Sequence, residues 1–166
     1  SAMLREAQTE PSKVIFREGD AQLYWPYSDH YANIIFNIDV IHYIQDFRTF
    51  FTEANRVLKA GGSLLIATDS EADLRQRSLT TFFPEILPYE LARYPAVATL
   101  DSAATAAGLV VGSPQSVHGA RPITDGYIAN LAAKCSSALR LIPAEALAAG
   151  IVRVQQAQKA GELWHS

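Results

Sequence analysis

Four short apolar runs punctuate the chain. Val14-Ile15-Phe16, Ala32-Asn33-Ile34-Ile35-Phe36 and Ser63-Leu64-Leu65-Ile66-Ala67-Thr68 are β-prone, and Leu109-Val110-Val111 opens a fourth. The first three are nearly continuous rather than alternating, as parallel strands covered on both faces require. Between them the polarity repeats at helical spacing. From Asp46 the apolar positions Phe47, Phe50, Phe51, Ala54, Val57 and Leu58 share one helix face. Asp46 reads as its N-cap and Gly61-Gly62 as its stop. A second helix runs from Pro95, with Val97, Leu100, Ala103, Ala104 and Ala107 inward and Gly108 as terminator. A third starts near Pro143 and carries Leu147, Ile151 and Val154 toward Gly161. Ser70 with Asp73 reads as a capping pair opening a helix after the third strand. Strands alternating with helices predict an α/β fold with a mostly parallel sheet. In such sheets ligands bind beyond the carboxyl ends of the strands.

Those strand ends carry the candidate chemistry. After the first run comes Glu18-Gly19-Asp20-Ala21. The Asp20 carboxylate suits an exocyclic amine such as that of adenine, or else caps a surface turn. After the second run come Asn37-Ile38-Asp39 and Val40-Ile41-His42-Tyr43, the mixed lining of a ligand rim. His42 is either a general base or a packing residue among apolar neighbours. Thr68-Asp69-Ser70 is accounted for by helix capping alone. Tyr24, Trp25, Tyr27, His30 and Tyr31 either wall a pocket or pack a loop.

Composition narrows the class. The 166 residues are 49 % apolar and 19 % charged, a globular balance for one domain. Fourteen basic against seventeen acidic residues leave −3, with no basic excess to seek nucleic acid or an anionic membrane. The lone Cys135 makes no internal disulfide and no thiolate metal site, so the chain reads as cytoplasmic. No apolar run approaches a membrane span of ~18 residues. The four histidines lack metal-ligand spacing, and no metal site is expected. There is no G-x-S-x-G, no Walker loop and no G-x-G-x-x-G.

An ordered set of segments adds a family likeness. Gly19-Asp20-Ala21, the run Ile34-Ile35-Phe36, Asp39-Val40-Ile41-His42 and the stretch from Glu53 through Arg56-Val57-Leu58-Lys59-Ala60-Gly61-Gly62 to Ile66 follow at characteristic intervals. The chain resembles the class I S-adenosylmethionine-dependent methyltransferases that act on small molecules, best over residues 1–117. The resemblance implies a Rossmann-like, mostly parallel α/β sheet and S-adenosylmethionine as cofactor. It implies that Asp20 contacts the adenine amine and that Ala21 offers its backbone N–H to the ring. Asn37 and Ile38 would line the methionine end, and His42 would lie near the reaction centre as the catalytic candidate. The segment at about 71–95, with Phe82, Phe83, Pro84 and Tyr89, would form a substrate cap.

The departures from the family are as informative. The Gly-rich loop and the ribose-gripping acidic residue are not in this sequence, and Ala32 stands where the family usually has Asp. Ser1-Ala2-Met3-Leu4 resembles the start of the helix that follows that acidic residue. The family's last strand is expected after Trp164-His165-Ser166. The expectation is one partial domain over residues 1–166, incomplete on its N-terminal side. Such a sheet leaves edges unpaired and a face uncovered, which predicts a homo-oligomer by strand or element exchange, or an unusual strand order. Two functions follow: methyl transfer to a small molecule, or a non-catalytic fragment or assembly module unable to bind cofactor on its own.

Overall fold

The computed structural model describes residues 2–9 and 13–166. A short helix α1 (Ala2–Ala7) opens the chain, and Ser1 lies outside the described residues. Strand β1 (Ala32–Ile38) leads through a 3-10 turn (Ile41–Tyr43) into helix α2 (Phe47–Val57), which returns to strand β2 (Leu58–Ala67). β1 and β2 pair in parallel, so the α/β expectation holds. Asp46 caps α2 as its sequence predicts, accepting from the Thr49 amide at 3.0 Å and the Thr49 hydroxyl at 2.6 Å.

The stop lies earlier than Gly61-Gly62. Leu58 is already extended, and the two glycines sit where the β1–β2 register jumps between Ala32↔Leu58 and Ile34↔Ser63. Gly61 adopts φ +76°, and a Cβ on Gly62 would lie 2.9 Å from the Asn33 carbonyl oxygen. The glycines therefore serve an irregularity in the strand rather than the helix end.

Two predicted strands are absent. Residues 14–16 and 109–111 are irregular, with Val14 62 %, Ile15 79 % and Val110 fully exposed. A three-residue apolar run becomes a strand only beside a partner edge, and among the described residues the parallel sheet contains β1 and β2 alone. A second, antiparallel pair forms instead from β3 (Ala120–Pro122) and β4 (Leu163–His165). β4 takes up Leu163–His165, just before the point at which the resemblance expects the family's last strand.

From β2 to β3 run α3 (Glu71–Gln76), α4 (Ser78–Phe82), α5 (Leu87–Arg93) and α6 (Val97–Ala106), and α7 (Asp125–Ala132) and α8 (Ala144–Lys159) connect β3 to β4. The Ser70–Asp73 capping box is present in full. Gly108 and Gly161 end α6 and α8 with φ +87° and +75°, the left-handed stop that glycine makes cheap. Among the described residues no helix is long and apolar enough to cross a membrane.

Two hydrophobic cores result. One gathers Ile41, Ile44, Phe50, Phe51, Leu100 and Ala104 between α2, α6 and one sheet face, where Leu64 and Ile66 meet it. The other gathers Phe82, Phe83, Leu131, Leu139, Val154 and Trp164 around α4, α7 and α8. The opposite sheet face is bare: Ile34, Phe36, Ile38 and Leu65 are 60, 69, 59 and 58 % exposed.

Candidate active site

The carboxyl ends of β1 and β2 lie side by side. Asn37 faces Ile66 and Ile38 faces Ala67 in register, and the Asp39 amide donates to the Ala67 carbonyl at 3.0 Å. Asp39 then turns the chain with φ +53°. That turn drives Ile41 into the core and leaves His42 nine-tenths buried at the edge of a cleft. The cleft, of about 420 Å³, is walled on the strand side by Asp39, His42 and Asp69. Its other walls are Arg77, Glu90, Arg93 and Tyr94 from the α3–α5 segment, Ser137 from the turn at 137–140, and Tyr127 and Trp164 from the second core.

A buried charge network backs the cleft. The Arg77 guanidinium donates to Asp69 and to Glu90, and Arg93 pairs with Glu90 at 2.5 Å. Glu90 is 1 % exposed, and two arginines surround its carboxylate. Arg93 also donates to the Ser137 hydroxyl at 3.0 Å, and the Tyr43 hydroxyl donates to the same oxygen at 2.9 Å. These bonds tie the end of β2, helix α5 and the turn at 137–140 into one wall.

His42 lies against that wall. Its ring stacks on Tyr94 at 4.2 Å and 21°, and meets Tyr43 at 4.2 Å. Burial, then the nearby Arg93 and Arg77 charges, pull its pKa from 6.5 to about 4, against an opposing pull from Asp69. The ring is therefore neutral at physiological pH. Its Nδ1 is buried without a hydrogen-bond partner. Burial likewise raises the Tyr94 and Tyr127 hydroxyls, leaving them protonated donors.

Of the five residues to which the family resemblance gave a role, Asp20, Ala21, Asn37, Ile38 and His42, only His42 lines the cleft, together with Asp39, Tyr43 and Asp69 from the same strand ends. Asp20 is exposed in its own turn, with Oδ1 accepting the Gln22 amide at 2.9 Å. Ala21 packs against the first core, and its carbonyl accepts from the Trp25 indole at 3.0 Å. The Gln22 side chain fastens this loop to the turn after β1 by accepting from the Gln45 amide at 2.6 Å. Asn37 is partly buried, its Oδ1 shut from solvent with no partner, and Ile38 is exposed. Asp20, Ala21, Asn37 and Ile38 thus border the first core and the strand ends, outside the cleft lining.

The aromatic cluster before β1 packs a loop. Trp25 meets Phe50 edge-on at 5.5 Å, Tyr27 stacks on Tyr31 at 5.2 Å, and Arg56 sits 4.2 Å over Tyr24. Arg56 also donates to the carbonyls of Trp25 and Tyr27 and to Asp29 and Glu53, which holds the loop on α2. Sequence reasoning did not single out Arg77, Glu90 or Arg93, which fall within the cap expected at about 71–95 and carry no motif of their own. Among the described residues no group of three or more His, Cys, Asp or Glu side chains is placed to hold a metal.

The family model for the methyltransferase domain matches residues 1–66. Over those residues the chain is similar to that family. The class I S-adenosylmethionine-dependent likeness therefore stands over the part of the chain that supplies Asp20, Ala21, Asn37, Ile38 and His42. The matched segment ends inside β2, so the rest of the cleft wall, from Asp69 onward, lies beyond it. A crystal structure of a protein from Galdieria sulphuraria, provisionally named a sarcosine dimethylglycine methyltransferase, is similar at 19 % identity with a TM-score of 0.44. The match covers 89 % of this chain and 55 % of that one, so the chain spans about half the length of that protein. No curated protein matches the chain.

Proposed function

We propose that the chain serves methyl transfer from S-adenosylmethionine to a small-molecule acceptor bound in the cleft beside His42. The observation that carries this reading is the methyltransferase match over residues 1–66, the segment whose first strand ends in Asn37 and Ile38 and is followed by the turn that holds His42. The cleft volume of about 420 Å³ lies in the range of small-molecule sites.

The residues present fit the cofactor on its acceptor side. Asn37 Oδ1 is a buried acceptor lacking a donor, suited to the ammonium group of the methionine half. Asp20 keeps one carboxylate oxygen beyond its turn bond, suited to the adenine amine. When bound, S-adenosylmethionine supplies a methyl group on a cationic sulfur. Everything else falls to the protein. Its walls orient the acceptor and exclude water. His42 meets the acceptor through Nε2, since Nδ1 is shut away, and at physiological pH it does so as a neutral ring. A ring of such low basicity favours acceptors that arrive with a lone pair or negative charge already in place.

One observation favours the second reading, a non-catalytic module. Among the described residues β1 and β2 pair only with each other, and no Gly-rich cradle borders them. Titration calorimetry with S-adenosylhomocysteine separates the two. The enzyme reading expects micromolar binding, weakened about tenfold by Asp20→Ala through loss of one charge-assisted hydrogen bond. Heat-silent titrations with both S-adenosylhomocysteine and S-adenosylmethionine favour the module.

A further inference from the structure

Three arginines line the cleft, and they are not equivalent. Arg77 and Arg93 belong to the buried network, where Asp69 and Glu90 match them charge for charge. Arg121, on β3, is exposed and enters no ion pair among the described residues. Aromatic side chains hold it instead. Its guanidinium carbon lies 4.6 Å over the Tyr127 ring. Tyr127 in turn meets Trp164 edge-on at 4.7 Å, and Trp164 is buried and is the register partner of Arg121 across β3 and β4. The Tyr127 hydroxyl is a polar neighbour of the guanidinium, which leaves most of its N–H donors without a partner. A cation–π contact fixes the group in place without engaging those donors. Asp39 is the other fully charged side chain of the lining without an ion pair. It stands on the strand-end wall with His42, the cofactor side of the proposed reading.

We propose that the cleft takes a carboxylate on Arg121 and, resting on the methyl-transfer reading, that this carboxylate belongs to the acceptor. One unmatched guanidinium balances one negative charge, and its planar fork fits the two oxygens of a carboxylate. A phosphate dianion calls for more positive charge than Arg121 supplies. The same arginine repels a cationic acceptor and offers a neutral one no matching charge. The rings of Tyr94, Tyr127 and Trp164 in the lining suit a flat, aromatic acid.

The probe is benzoate, titrated into the full chain and followed by amide NMR shifts, with benzamide and phenyl phosphate as comparisons. Benzoate is expected to bind with a dissociation constant on the order of 1 mM, and benzamide about tenfold more weakly. Arg121→Gln, with circular dichroism unchanged, is expected to weaken benzoate by about tenfold. Arg121→Lys keeps the charge and loses the fork, so it is expected to weaken benzoate by a smaller factor, and it carries the test where Arg121→Gln does not fold. Arg48→Gln, at an exposed arginine outside the lining, is expected to bind benzoate as the parent does. Equal binding of benzamide, tighter binding of phenyl phosphate, or benzoate affinity unchanged in both Arg121 variants overturns the proposal. S-adenosylhomocysteine, titrated separately, tests the methyl-transfer reading. If it binds and benzoate does not, the carboxylate site alone falls. If it is silent while benzoate binds through Arg121, the carboxylate site stands and its ligand is no longer a methyl acceptor.

Discussion

His42 shows what a single buried side chain does to the molecule's response to acid. In the unfolded chain its imidazole takes up a proton near pH 6.5, whereas the folded chain resists it until about pH 4. The unfolded state therefore binds more protons throughout that window, and stability falls as the pH drops through it. The contribution is fully present above pH 6.5 and gone below about pH 4. Urea midpoints measured from neutral pH down to about pH 4 should decline, and His42→Phe, which keeps the stack on Tyr94, should flatten that decline. The lowered carboxyls of Glu53 and Asp73 act at lower pH and do not mimic it. His42 was legible in the sequence because it follows an apolar run at the distance a strand end dictates. Glu90 was not. Its partners Arg77 and Arg93 are plain in the chain, but only the packing of α3 against α5 decides that one carboxylate faces both. Asp69 hides differently: helix capping accounted for its neighbourhood, and the capping box is real, yet it uses Ser70 and Asp73 and leaves Asp69 for Arg77.

At the scale of elements, legibility tracked how local the cause is. α2 could be read from Asp46 and its three-and-four spacing because cap and face are both properties of the helix itself. α6 and α8 ended at the glycines that the left-handed stop needs. The runs at 14–16 and 109–111 failed because a strand needs a neighbour, and apolarity says nothing about whether one is present. The irregularity in β2 was misread as a helix stop for a related reason, since a Gly-Gly pair serves either purpose until the Asn33 carbonyl is placed against it. Gly150 was silent in the sequence and is tightly held in the structure. Within α8, a Cβ there would lie 2.1 and 2.2 Å from two Phe83 ring carbons and 3.0 Å from the Phe82 carbonyl oxygen. Phe83 is fully buried and has nowhere to move. Gly150→Ala should therefore destabilise by about 1–2 kcal/mol, because overpacking outweighs the ~1 kcal/mol that alanine gains in a helix interior. Denaturant midpoints measure this directly.

For the whole molecule, the arrangement that matters is two apolar cores with the cleft between them. His42 is fixed to the first core by Ile41, while Tyr127 and Trp164 belong to the second, and polar contacts such as Arg93–Ser137 and Tyr43–Ser137 cross between them. Side chains that bury together open together, whereas a seam of hydrogen bonds opens more easily than either core. Native-state hydrogen exchange should then resolve two cooperative units. One should contain α2 and α6 and the other α7 and α8, with the amides at 136–141 among the quickest to exchange. A single common opening energy for all four helices would show instead that the seam is as strong as the cores. If the two units do open separately, a molecule held in the cleft grips both at once. Its binding energy then acts as a clamp on the seam, so the protein that holds its ligand should be measurably stiffer than the one that has released it.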